Sequence, residues 1–276
     1  MEDAQKLAEA FERDGYVVAR GLFSPEEVAE IRDTFMAQNA DGPVPGLSEI
    51  KRNGSADDYT PDDPLSFYPR MMHPHKHSDK LVGPISMRYM LDSRVKDLLT
   101  VLLAEEPLAG QSMFYFKPPG ARGQDLHQDN YYLRVAPKTC CAAWVAVDDV
   151  DQENGGMVLV PGSHRLPVLC PTPADKTLFF TDHHLDVPEG MEAVPADMKA
   201  GDVLFFNGSV IHGSYPNSSK DRFRRAFICH YIPAGSDELS RYYQCMDFDG
   251  NPIAIPDATG GGPCGGGEWM TVKGPH

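Results

Sequence analysis

Basic residues are in short supply in this chain. Lys and Arg number 25 against 40 Asp and Glu, a formal net charge of −15. A surplus of that sign excludes nucleic acid and anionic membrane as partners. Long apolar runs are missing too: no stretch reaches the roughly 18 residues a transmembrane helix needs. The opening Met1-Glu2-Asp3-Ala4-Gln5-Lys6 is acidic and has no apolar core, so it does not read as a signal peptide and a cytoplasmic location is expected. Cys140, Cys141, Cys170, Cys229, Cys245 and Cys264 show no Cys-x-x-Cys spacing. They read as reduced, mostly packing residues. Without a secretion signal the glycosylation triplets at Asn53, Asn207 and Asn217 carry no weight. The glycine-rich tail from Gly260 lacks the Gly-Lys-Ser/Thr of a phosphate loop and reads as flexible or extended coil.

What is present suggests one domain over 1–276, with a helical N-terminal part to about residue 105, a β-rich core over about 108–232 and an extended tail. Apolar residues at helical spacing predict a helix over residues 3–14, and Tyr16–Arg20 reads as a strand. Ser24-Pro25-Glu26-Glu27 predicts a second helix start, with Ser24 as cap and Glu27 three residues on, burying Val28, Ile31 and Phe35. Residues 40–80 lose periodicity and read as a long lid or binding loop. Its alternating His73, His75 and His77 lack an accompanying carboxylate or cysteine at ligand spacing, so they read as solvated rather than as a second metal site. Residues 82–105 read as helical with a break. Beyond Leu108, short strands separated by Gly, Pro and Asn turns predict an antiparallel sandwich or jelly roll, interrupted by a polar insertion over 165–195.

The stretch Leu126-His127-Gln128-Asp129 holds an imidazole and a carboxylate two residues apart. On an extended strand the two share a face. His212, in Val210-Ile211-His212-Gly213-Ser214, is the best third partner. Two histidines and one carboxylate on one face of an ion form the facial triad of non-haem Fe(II) oxygenases. A His-x-Asp triplet alone is common by chance, and its surroundings decide its meaning.

Those surroundings follow a set order: two N-terminal helices, Lys117-Pro118-Pro119, His127-Gln128-Asp129, Trp144, Glu153-Asn154-Gly155-Gly156, Pro161-Gly162-Ser163-His164, His212-Gly213-Ser214, Asn217 and Arg224-Arg225-Ala226. From about residue 8 to about 232 the chain closely resembles the phytanoyl-CoA dioxygenase family of Fe(II)/2-oxoglutarate-dependent oxygenases. The resemblance implies a double-stranded β-helix, a cupin-like jelly roll flanked by helices, with His127, Asp129 and His212 binding Fe(II). It implies that 2-oxoglutarate and O₂ are cosubstrates, with Arg224 pairing the far carboxylate; Arg222 and Arg225 stand close enough to be alternatives. A planar, two-pronged guanidinium suits that role better than lysine. Lys117, Trp144 and Ser214 match cosubstrate positions, and Gln128 matches a position beside the metal. Because Asp129 is present, oxygen insertion rather than halogenation is expected. His164 reads as structural, and His183 and His184 as solvated. The expected reaction is hydroxylation of an unactivated C–H bond of a small molecule, with Tyr131, Tyr132 and Arg134 as candidate substrate contacts. A metal-dependent isomerase or a binding protein of the same fold is the alternative. Substrate identity, CoA thioester or otherwise, and oligomeric state stay open.

Overall fold

The computed structural model describes residues 2–49, 60–259 and 262–264. Asn53 and most of the glycine-rich tail lie outside the described residues.

The N-terminal part follows the sequence pattern. Helix α1 (Glu2–Asp14) leads into strand β1 (Tyr16–Ala19), and α2 runs over Pro25–Gln38. At its start Ser24 Oγ accepts from the Glu27 amide at 3.3 Å, and the Ser24 amide donates to Glu27 Oε2 at 2.8 Å. This reciprocal cap satisfies two orphan donors. Val28, Ile31 and Phe35 are buried on one face.

The described part of the expected loop over 40–80 holds α3 (Pro64–Phe67), β2 (Met71–Met72) and a 3₁₀ turn over Pro74–Lys76. Here the expectation of solvated histidines fails. His75 is buried, with Nδ1 2.6 Å from Ser112 Oγ, and His73 Nε2 lies 3.2 Å from Gln111 Oε1. The segment packs on the strand carrying Gln111 and Ser112, so the His75 ring leaves water and the His73 ring is half-buried. Helices α4 (Val82–Met90) and α5 (Ser93–Leu103) follow, broken at Leu91-Asp92.

The remaining elements are β3 (Pro107–Tyr115), β4 (Gln124–His127), α6 (Asn130–Leu133), β5 (Cys141–Ala146), β6 (Met157–Leu159), β7 (Thr172–Pro173), β8 (His183–His184), β9 (Val194–Ala196), β10 (Val203–Asn207), β11 (His212–Ser214), β12 (Ala226–Pro233), β13 (Cys245–Met246) and β14 (Pro252–Ile253). Among the described residues they form two main antiparallel sheets. The larger runs β1-β10-β5-β12-β3-β13-β14, with β2 also on β3; the smaller runs β4-β11-β6-β9. This is the expected jelly roll.

The larger sheet is buried on both faces. Cys141, Ala143, Val145, Phe205, Phe227 and Tyr231 pack toward the helices, where Phe35 stacks on Phe114 at 3.9 Å. Their neighbours Ala142, Trp144, Leu204, Phe206 and Ile228 face the other way, toward Met157 and Leu159 of the smaller sheet. Two-sided burial explains why β5 and β12 are apolar throughout instead of alternating.

Two cysteines depart from expectation. Cys170 and Cys264 form a disulfide across 94 residues, while Cys140, Cys141, Cys229 and Cys245 are free and buried. Sequence spacing carries no signal for this bridge, because the fold alone brings the tail to the insertion. Among the described residues no helix is long and apolar enough to cross a membrane.

Candidate active site

Strand register does the first step of assembly. In the β4–β11 ladder His127 and His212 are direct partners, and their rings stand 4.2 Å apart. Residues opposite one another in an antiparallel pair project to the same face. Asp129 joins them by a different route from the one the sequence suggested. Strand β4 ends at His127, and Asp129 is the helical residue (φ −59, ψ −36) preceding α6. That turn brings Asp129 Oδ1 to 3.5 Å from both His127 Nε2 and His212 Nε2. One ligand atom from each of the three residues lies within 4.8 Å of the others, and all three residues are buried.

The protonation pattern suits a cation. His127 Nδ1 stands 2.7 Å from the Asp125 carbonyl, and His212 Nδ1 stands 3.0 Å from the Val210 carbonyl. A carbonyl only accepts, so each Nδ1 carries the proton and each Nε2 offers a lone pair. Burial pushes His212 down to about 4, which keeps its ring neutral at physiological pH.

Two residues of this cluster were not expected from sequence. His230 on β12, itself buried, places Nε2 at 2.9 Å from Asp129 Oδ2. Gln124 on β4 sets its amide 3.1 Å from His127 Nε2. The only sequence cue for His230 is one polar residue in the apolar run Ala226–Pro233.

The triad lines a small cavity of about 30 Å³, and Trp144, Ser214 and Arg224 line the same cavity. Arg224 is buried, donates from Nε to the Gly155 carbonyl at 2.9 Å, and lies 5.2 Å from the centre of the Trp144 ring. Lys117 is buried as well, and its Nζ donates to Ser214 Oγ at 2.8 Å. Among the described residues neither cation makes an ion pair, although most other Arg and Lys side chains near them do. Arg222 pairs with Asp151 at 2.7 Å and Arg225 with Asp148 at 2.6 Å, so the three clustered arginines are told apart. Burial pulls Arg224 down to about 10, and burial together with Arg224 holds Lys117 well below its ordinary value. A buried guanidinium without an ion-pair partner is unfavourable alone and receptive to an anion.

Local motifs hold these side chains. Gly155 has φ +88, and a Cβ there would meet Lys117 Cε at 2.7 Å. Only glycine suits both the conformation and the approach. Asn154 Nδ2 donates to the Asp149 and Phe223 carbonyls at 2.8 and 3.2 Å, pinning this turn against the segment before Arg224. Asn217 Nδ2 donates to the carbonyl of Lys117 at 3.0 Å and so steadies a residue held at φ 39.

Gln128 lies beside His127 in a smaller cleft, its amide donating to the Ser209 carbonyl at 2.8 Å and its Oε1 accepting from the Leu169 amide at 2.8 Å. Those two bonds also anchor the insertion. Tyr131 and Tyr132 line this cleft, which includes Leu169, His183 and Leu185. The Tyr132 hydroxyl stands 2.7 Å from His183 Nδ1, so His183 belongs to this cleft instead of to solvent. His184 is likewise not free in solvent, with Nδ1 3.0 Å from Asp125 Oδ2. Arg134 sits beyond the end of α6 at φ 57 and lines neither cavity.

The sequence profile of the phytanoyl-CoA dioxygenase (PhyH) family matches residues 11–226. Phytanoyl-CoA dioxygenase 1 of Oryza sativa subsp. japonica is 28% identical over 83% of this chain and 79% of its own length. Phytanoyl-CoA dioxygenase domain-containing protein 1 of Danio rerio is 28% identical over 84% of this chain and 89% of its own. Among solved structures, the epimerase SnoN in complex with Fe3+, alpha ketoglutarate and nogalamycin RO aligns with a TM-score of 0.65 at 22% identity, covering 95% of this chain and 97% of that one.

Proposed function

The chain belongs to the phytanoyl-CoA dioxygenase family and is an Fe(II)- and 2-oxoglutarate-dependent oxygenase; from that premise we propose that it is a single-domain hydroxylase of a small molecule. In this reading His127, Asp129 and His212 hold Fe(II) through Nε2, Oδ1 and Nε2. Arg224, Lys117 and Ser214 receive the far carboxylate of 2-oxoglutarate, and Trp144 forms an apolar wall beside it. Bound iron supplies the oxidative chemistry, in which R–H, O₂ and 2-oxoglutarate give R–OH, succinate and CO₂. The protein's part is to orient the keto acid between the triad and Arg224, and to keep water out. The buried guanidinium is charged at neutral pH, since even at about 10 its pKa is well above 7. It therefore attracts a dianion without needing a proton. Substrate approaches from the cleft of Tyr131, Tyr132 and His183, closed on one side by the insertion.

One observation carries this reading. A lone-pair triad and the buried guanidinium of Arg224, which makes no ion pair among the described residues, line one cavity. A metal-dependent isomerase or binding protein has no need of that guanidinium. The test is anaerobic addition of Fe(II) and 2-oxoglutarate. A weak visible charge-transfer band is expected, absent in Asp129→Ala, with succinate released once air and a substrate-containing compound library are added. A folded wild type that gives neither band nor succinate would end the proposal.

A further inference from the structure

His230 is a buried side chain outside the triad that touches a proposed ligand through a carboxylate oxygen. Its Nε2 donates to Asp129 Oδ2 at 2.9 Å, and both side chains are 1% exposed. Asp129 Oδ1 is the oxygen that faces both imidazoles, 3.5 Å from each Nε2. The two oxygens of one carboxylate are thus divided between two tasks.

A carboxylate can hold a cation with one oxygen or with both. The second mode would occupy a further position and leave less room for a bidentate keto acid. The geometry points to His230 as a positioning residue that engages Oδ2, confining Asp129 to the metal through Oδ1 alone. A ring present only to fill space would not need a carboxylate partner. The strand supports the same assignment. A register shift falls between His230, opposite Gln111, and Tyr231, opposite Ala109, leaving Gly110 of β3 as the extra residue. Such bulges beside active sites re-aim a side chain. A Cβ on Gly110 would come within 2.3 Å of Ile232 Cδ1, so the glycine leaves room for that side chain beside the bulge.

This rests on His127, Asp129 and His212 being the iron ligands, and the experiment separates the two. Full-length wild type, His230→Phe, His230→Asn and His230→Gln are titrated anaerobically with Fe(II), and the Fe(II)·2-oxoglutarate band is recorded. Phe removes the donor and Asn is too short to reach Oδ2; both are expected to weaken iron binding roughly 10- to 100-fold and to shift the band. Gln keeps an N–H within reach and is expected to bind iron and give the band as wild type does. Folded Phe and Asn variants that match wild type overturn the inference, and so does a Gln variant as impaired as they are. If the Phe variant does not fold, the Asn/Gln comparison decides. Asp129→Ala is the control: iron binding unchanged there removes the ligand assignment itself, whereas iron loss there with unaffected His230 variants removes only the role of His230.

Discussion

Arg224 carries its charge inside the protein with a carbonyl and an aromatic ring beside it and, among the described residues, no ion pair. Removing it should separate binding from stability. Arg224→Met is expected to weaken 2-oxoglutarate binding by about 100-fold, since charge-assisted hydrogen bonds contribute roughly 1.5–3 kcal/mol each. The cosubstrate-free protein should melt no lower than wild type, because an apolar side chain replaces an uncompensated cation. Titration of the charge-transfer band and a thermal melt check both arms. At this scale the chemistry was legible: His127, Asp129, His212 and Arg224 stand out by type and order. His230 was not, because a single histidine in an apolar strand looks like any buried histidine. For Gln128 the sequence marks the position beside His127 but not its bonds to Ser209 and Leu169, which depend on where the insertion returns.

The elements explain what residue types could not. Ser24 and Glu27 announce α2 because a reciprocal cap is local and needs no partner. The pairing of His127 with His212 depends on the β4–β11 register, which no local pattern encodes. The His73–His77 segment shows the same limit. Its polar composition suggested water, yet packing on β3 buries the His75 ring and half-buries the His73 ring, and burial pushes His73 down to about 4 and His75 to about 3. The consequence for acid stability has a definite sign. Folding lowers both values below about 6.5, so the unfolded chain takes up protons that the folded chain refuses. Stability should be intact above pH 6.5 and fall as the pH drops toward 4, by on the order of 3 kcal/mol per ring. Denaturant melts from pH 7 to 4.5 should show a shallower loss in a His73→Gln, His75→Gln double variant.

For the whole molecule, the jelly roll was readable from spaced turns and short strands. The bridge between Cys170 and Cys264 was not, since nothing in the sequence says that the tail returns to the insertion. Cys170 lies between Leu169 and Pro171, both of which line the tyrosine cleft. Closing a loop of this length contributes on the order of 4 kcal/mol in the chain-entropy account. Cys170→Ser, or reductant added to wild type, is therefore expected to lower the melting midpoint by several degrees while leaving Fe(II) and 2-oxoglutarate affinity unchanged. Equal midpoints with and without reductant would count against the bridge. Persistence of this bond also calls for oxidising surroundings, or for shielding from cellular thiols.

Strands β6 and β9 bracket the insertion, and Leu159 is paired with Val194 across them. The intervening excursion therefore leaves and re-enters the scaffold through a hydrogen-bonded doorway. Inside that doorway it runs along β4: the Leu185 amide donates to the Leu126 carbonyl at 2.9 Å and the Phe180 amide to the Gly123 carbonyl at 3.0 Å, so the insertion braces the strand that carries His127. A transplanted segment that reshapes the tyrosine cleft must therefore keep these backbone bonds, or the oxidising machinery shifts with it.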